Sequence, residues 1–329
     1  ITSSNPQPGI GNATTINTIL SGFINGVASL NLTWDEVGTI DLNANLANYL
    51  GSGLAVTGTQ TNVGRFQPSY FDTAVTHGCS TFTYAGSTTP VKTGQPFTVT
   101  VTANKAGGGT TANYAGAANA YLTTLSNAGV TAGFASNTIA AASFANGVGS
   151  ANVTYEVATP QTVPLTLTLR AEDADTPVVS SSGHTEGTTE MRSGRAKISN
   201  AHGSELLALP VTFRAEYWNS GWLLNSADIC SGNGLSGGTV SVALSALPVT
   251  CVQDSGNPGL SGAGCAAAGP AGQQFKEGGV AGFAGNFYLW LKAPGAGNTG
   301  AVTVTGNVPS WLQYPWGGGA VINPTVRAT

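Results

Sequence analysis

Phe97-Thr98-Val99-Thr100-Val101-Thr102 makes every second side chain apolar, with Gly94 and Pro96 before it and Gly107-Gly108-Gly109 after it. Strict alternation over so short a run marks a strand buried on one face, because successive side chains of an extended chain point to opposite sides. The pattern recurs as Pro164-Leu-Thr-Leu-Thr-Leu169, Thr239-Val-Ser-Val-Ala-Leu244, Asn286-Phe-Tyr-Leu-Trp-Leu291 and Ala301-Val-Thr-Val-Thr305, each bounded by Gly, Pro or Asn. One-sided strands build antiparallel sandwiches, in which each fully buried Val or Leu contributes about 1.5–3 kcal/mol. The only helix-like composition runs from Ala115 to Leu125, and Gly116 and Asn119 limit it to a short helix over a sheet end. The expected fold is all-β, with tandem immunoglobulin-like antiparallel β-sandwich domains.

The chain also repeats itself. Phe23-Ile-Asn25-Gly26-Val27-Ala-Ser29-Leu-Asn31-Leu-Thr33-Trp34 returns 121 residues later as Phe144-Ala-Asn146-Gly147-Val148-Gly-Ser150-Ala-Asn152-Val-Thr154-Tyr155. Both copies lead into an alternating stretch, Thr39-Ile-Asp-Leu-Asn-Ala-Asn-Leu46 and Thr162-Val-Pro-Leu-Thr-Leu-Thr-Leu169, and a weaker third copy begins at Phe275. A period of roughly 120–130 residues exceeds that of solenoid repeats and suits tandem domains. The spacing predicts an incomplete β-domain over residues 1–62, the C-terminal half of a unit, followed by sandwiches over 63–190 and 191–329. Only 22 residues precede the first copy, so the front half of that unit is expected from elsewhere, by strand donation from a neighbouring subunit or because the chain is a fragment.

Composition excludes several functions. Asp, Glu, Lys and Arg make up 8% of residues, against about 25% in a typical soluble domain. Without a basic run there is no footprint for nucleic acid. No apolar stretch reaches the roughly 18–20 residues of a transmembrane helix, so membrane insertion is not expected. Ile1 and the residues after it do not form a signal peptide, and the chain reads as mature or trimmed. With so few charges to guard strand edges, coverage of those edges within a larger assembly is one expectation.

Four cysteines, none in a Cys-x-x-Cys, favour two disulfides over a zinc site. Three connectivities are possible. Cys251 with Cys265 is favoured because it closes a short Gly/Ala/Pro loop, an effect of about 3 kcal/mol. Cys79 with Cys230 then follows by elimination, and Cys230 with Cys251 is the alternative.

Catalytic motifs are present only as strings. Gly234-Leu-Ser236-Gly-Gly238 fits the nucleophile-elbow pattern but is followed by a strand where a helix is required. Gly295-Ala-Gly297-Asn-Thr-Gly300 fits a dinucleotide fingerprint but also leads into a strand, and reads as a hairpin turn. His77, His184 and His202 lie in separate loops. Glu172, Asp173 and Asp175 follow a strand and could supply oxygen ligands to Ca²⁺ at a domain junction; Asp35, Glu36 and Asp41 are a thinner set. No other cofactor is expected. Trp311, Tyr314 and Trp316 sit in a Gly/Pro-rich segment and could stack on sugars.

The third unit opens Glu190-Met-Arg192-Ser-Gly194-Arg195, continues through Asn200-Ala-His-Gly203-Ser204-Glu205-Leu206-Leu207, and then reads Ala215-Glu216-Tyr217-Trp218-Asn219 and Asn225-Ser-Ala-Asp228-Ile-Cys230. Further matching segments are Val63-Gly64-Arg65-Phe66, Cys79-Ser-Thr-Phe82-Thr83-Tyr84, Val308-Pro309-Ser-Trp311-Leu312 and Asn323-Pro324-Thr-Val-Arg327-Ala328-Thr329. This resembles the C-terminal region of the mannose-sensitive haemagglutinin (type IV) pilus biogenesis protein Q family. The resemblance implies a secreted protein of Gram-negative bacteria, exported through the periplasm to the cell surface, pilus-associated or adhesive, with no catalytic residues. The expected function is therefore a non-enzymatic extracellular structural or adhesive protein. Its expected partners are further copies of itself in a homo-oligomer or filament, or pilus subunits. A monomeric carbohydrate-binding module recognising surface glycans through the Trp-rich third unit is the alternative.

Overall fold

The computed structural model describes residues 3–5, 22–30, 34–159, 161–231, 241–245, 276–277, 285–313 and 325–329. The described residues are almost entirely β, arranged in five sheets. The first unit supplies β1 (Ser3–Asn5), β2 (Gly38–Leu46) and β3 (Val56–Phe66). The second supplies β4 (Tyr70–Thr76), β5 (Phe82–Tyr84), β6 (Gly86–Thr88), β7 (Val91–Lys92), β8 (Phe97–Asn104), a single-turn helix α1 (Gly116–Asn119), β9 (Thr123–Asn127), β10 (Phe134–Ser136), β11 (Thr138–Ile139), β12 (Val148–Val157), β13 (Leu165–Asp173) and β14 (Thr188–Arg192). The third supplies β15 (Gly194–Ile198), β16 (Leu209–Trp218), β17 (Trp222–Leu224), β18 (Ser241–Ser245), β19 (Lys276–Glu277), β20 (Asn286–Leu291), β21 (Val302–Asn307) and β22 (Thr325–Ala328).

The second unit is a two-sheet sandwich. One sheet runs β4-β8-β12-β6-β7 with β10 on β12, the other β11-β9-β13-β14-β5. The alternation at Phe97 is realised in β8: Phe97, Val99, Val101 and Ala103 are buried, facing Leu125, Leu167, Leu169 and Met191 from the other sheet. Tyr114 packs edge-on against Phe71 and Phe144 and fills one end of this core. In the third unit β15-β16-β20-β19, with β17 on β16, forms one sheet and β18-β21-β22 the other. Ile198, Val211, Phe213 and Leu291 pack there against Val302 and Val304.

The repeat is structurally real. Asn25-Gly26 and Asn146-Gly147 both take left-handed φ, at 48° and 81° against 50° and 78°. Each pair closes a tight turn under a bridge, Ile24 to Val27 and Ala145 to Val148. A type I′ turn needs two such residues, which is why Asn-Gly recurs at the same place. The 62/63 line falls inside β3, and the 190/191 line falls inside β14, which stays in the second unit's sheet until Arg192 before β15 begins the next one at Gly194.

Gly295 to Gly300 is not a hairpin turn. It joins β20 to β21, which belong to different sheets, so the segment is an arch between layers.

Candidate functional site

Among the described residues a cluster of buried polar groups, with Thr83, Lys92, Asn225 and Asp228, lies at the seam between the second and third units. It is built on β5, a three-residue strand buried on both faces. Its backbone pairs in parallel with β14 of the second unit, while Phe82 and Tyr84 project into the third unit's core. Thr83 lies on the opposite side, where its Oγ1 accepts the Gly78 N–H at 3.0 Å, and Ala85 belongs to the second unit's core. One short strand therefore belongs to the second unit's sheet by its backbone and to the third unit's core by its side chains.

Covalent and polar links reinforce it. Cys79 is bonded to Cys230 across a sequence separation of 151. The Tyr84 hydroxyl donates to Asp228 Oδ2 at 2.7 Å and accepts from Asn225 Nδ2 at 2.6 Å. Asp228 Oδ1 accepts the backbone N–H groups of Cys230 and Ser231 at 3.0 and 2.8 Å. Asn225 Oδ1 takes a hydrogen bond from Arg192, whose guanidinium also lies over the Phe82 ring. Burial, and then the Asp228 carboxylate, push the Tyr84 phenol well above its ordinary range, so it acts as a permanent donor.

Lys92 completes the seam from β7. Its Nζ donates to the carbonyls of Trp311, Gln313 and Gly194, at 2.9, 3.0 and 3.4 Å, all in the third unit. Burial pushes its pKa down to about 6. Gly194 has to be glycine. A Cβ there would stand 2.4 Å from the Tyr84 ring and 3.1 Å from Leu312 Cδ2. Gly194→Ala should cost about 1–3 kcal/mol, the usual range for overpacking. At Gly300 a Cβ meets nothing within 4 Å, and Gly300→Ala should stay within about 0.5 kcal/mol. Guanidinium unfolding of both variants checks the contrast.

The structure separates the sequence-predicted site residues. Cys79 and Cys230 are joined, while Cys251 and Cys265 lie outside the described residues. The acidic run divides across β13. Asp173 turns inward, accepting from Tyr114 Oη at 3.0 Å and from the N–H groups of Val179 and Asp175 at 2.9 and 3.2 Å. Asp175 pairs with Arg65, and Glu172, on the other face, accepts from Ser180 Oγ at 3.3 Å. These carboxylates are engaged by protein donors and do not converge on one point. Asp35 pairs with Lys105, Glu36 accepts the N–H groups of Ala112 and Asn113, and Asp41 accepts that of Asn62. Among the described residues the one group of three potential ligand atoms within 4.8 Å is Cys79, Asp228 and Cys230, and two of the three are the disulfide sulfurs.

Trp311 packs half-buried against the third unit's core and offers its carbonyl to Lys92. Tyr314 and Trp316, like Ser236, lie outside the described residues. The histidines have different partners: His77 bonds Thr189, His184 stacks on Tyr70 and His202 bonds Thr329. Sequence reasoning missed Tyr84 and Lys92 as site residues. The one signal available was that Lys92 is the first lysine of a lysine-poor chain.

A separate cavity of about 250 Å³ opens in the third unit between the 202–209 loop and the 292–301 arch. Leu207, Leu209, Leu291 and Val302 are among its lining residues, together with His202 and Lys292.

Residues 36–195 match DUF6701, third domain, and residues 192–329 match DUF6701, fourth domain. The chain is a tandem of two DUF6701 domains and belongs to that family. The two matched spans meet where β14 passes into β15, so the seam is the boundary between the DUF6701 third and fourth domains. No curated protein matches the chain.

Proposed function

We propose that this DUF6701 tandem is a non-enzymatic structural or adhesive module of an extracellular, pilus-associated protein, working by transmitting load through a stiff inter-domain joint. The observation that carries this reading is the seam. A strand paired into one domain's sheet whose side chains fill the other domain's core, a long-range disulfide and a lysine held by three carbonyls of the other domain resist hinge motion far better than an ordinary linker. A disulfide suits an oxidising compartment. Among the described residues no helix is long and apolar enough to cross a membrane. The strongly shifted titratable groups, Tyr84, Lys92 and Tyr114, each serve a packing contact, which favours a structural role over catalysis. The resemblance of the 190–230 segment to the pilus biogenesis protein Q family supports the extracellular, pilus-linked setting.

Single-molecule extension between the chain termini tests the reading. With the disulfide intact, the residues enclosed by Cys79 and Cys230 should not extend; with it reduced, the two domains should yield together in one high-force event. Two independent low-force events would mean freely hinged beads and would overturn it.

A further inference from the structure

The second unit shows what normally covers the strand pair that the first unit leaves exposed. In β13–β14, Leu165, Thr166, Leu167 and Thr168 pair with Met191, Glu190, Thr189 and Thr188. In β2–β3 the matching residues Leu42, Asn43, Ala44 and Asn45 pair with Gln60, Thr59, Gly58 and Thr57. Both ladders are antiparallel and follow the same repeated sequence, the β2–β3 ladder running further, from Gly38 with Phe66 to Leu46 with Val56. Their surroundings differ. Leu169 is fully buried, while its counterpart Leu46 is 52% exposed, directly across from Val56, itself 52% exposed. A Cβ on Gly147 would strike Thr110 and Thr111, whereas one on Gly26 meets nothing within 4 Å. The arm thus has the form of a sandwich half whose facing layer is missing among the described residues.

Its tip is set rather than frayed. Asn48 Oδ1 accepts the Gly53 N–H at 2.7 Å, Ser52 Oγ donates to the Tyr49 carbonyl at 2.6 Å, and Tyr49 N–H donates to the Leu54 carbonyl at 2.9 Å. This loop holds Leu50 in the left-handed region at φ 52°, 86% exposed, with Leu54 at 70%. A non-glycine residue kept in that conformation only to show a leucine to water is a cost without a folding return. Exposed apolar side chains gathered at one tip, Leu46, Tyr49, Leu50, Leu54 and Val56, mark an interaction site.

We infer that the β2–β3 arm is a self-association surface, packing against the same arm of a second copy of this chain. Residues 42–64 contain no charged side chain, so two like arms meet without repulsion and without burying an unpaired charge. An isologous contact also satisfies both exposed faces at once. Strands of 9 and 11 residues at about 3.3 Å per residue give an arm about 30–36 Å long and, two strands wide, on the order of 10 Å across. Arm on arm then covers a footprint of about 600–720 Å² in total, below the roughly 1,200 Å² at which stable interfaces begin, which implies weak, reversible, concentration-dependent pairing. The inference deepens the structural reading above and rests on it, but the joint is read by extension and the arm by mass, so either can fail alone.

Sedimentation velocity on the full chain, over about a hundredfold range of concentration, tests it. The expected result is a weight-average mass rising towards twice that of the monomer. Leu50→Asp combined with Leu54→Asp should hold the chain monomeric throughout with an unchanged unfolding curve, since both side chains are mostly in solvent. Leu206→Asp with Leu207→Asp, another exposed pair, should associate like the unmodified chain. A monomer at every concentration, association that survives the arm substitutions, or association lost equally in both variants would each overturn the proposal.

Discussion

Replacing both cysteines of the Cys79–Cys230 bridge with serine should lower the unfolding free energy of the tandem by several kcal/mol, the largest effect expected of any pair of side chains here. The bridge closes a loop with a sequence separation of 151, for which the chain-entropy relation gives about 5 kcal/mol. The enthalpic context points the same way. Cys79 and Phe82 flank a tight turn, with N–H to carbonyl bonds of 2.9 Å in both directions, and that turn launches β5 into the third unit's core. On the other side, Cys230 follows Asp228, whose carboxylate receives the Tyr84 hydroxyl. Without the bridge the same hydrogen bonds must hold β5 between two cores by themselves. Guanidinium unfolding of the double variant, which leaves Cys251 and Cys265 untouched, should show a midpoint well below that of the unmodified chain. A loss under about 1 kcal/mol would mean that packing alone fixes the seam.

What the sequence made legible was whatever depends on neighbours in the chain. Alternation from Phe97 to Ala103 became β8 with every second residue buried, because a period of two needs no tertiary information. The paired Asn-Gly turns were equally readable, since their backbone demand is local. The seam was not. Phe82-Thr83-Tyr84 is too short to show a period, and nothing in it reveals that its backbone and its side chains serve different domains. Cys79 with Cys230 emerged only by elimination, because a long separation carries no local signal. The Ca²⁺ expectation for Glu172, Asp173 and Asp175 overlooked the alternation used elsewhere: adjacent residues of β13 face opposite sides, so Glu172 and Asp173 point apart. Gly295 to Gly300 read as a hairpin because a tight turn and an arch between sheets share the same glycines, and only the pairing of the flanking strands separates them.

The stability contributed by the seam should also rise with pH, through Lys92. Its ammonium has an ordinary pKa of 10.5, and burial brings it to about 6 in the folded protein. Between these values the unfolded chain carries a proton that the folded chain does not, so raising the pH favours the folded state by about 1.4 kcal/mol per unit. The contribution is complete above the unfolded value and lost as pH falls towards 6. Three carbonyl oxygens around Nζ oppose part of this, since they match the three donors of an ammonium better than the two of an amine. Lys92→Met fills a similar volume, removes the titration and leaves those carbonyls without their donor. At neutral pH and above, the variant should therefore be the less stable of the two. Unfolding curves of both proteins at about pH 6.5, 7.5 and 8.5 separate this group from all others, because the remaining titrations cancel in the difference. The gap between the unmodified chain and the variant should widen by roughly 2.5 kcal/mol across that span. A gap independent of pH would show that the carbonyl cage keeps the ammonium charged, and that the seam holds a buried cation through the neutral range.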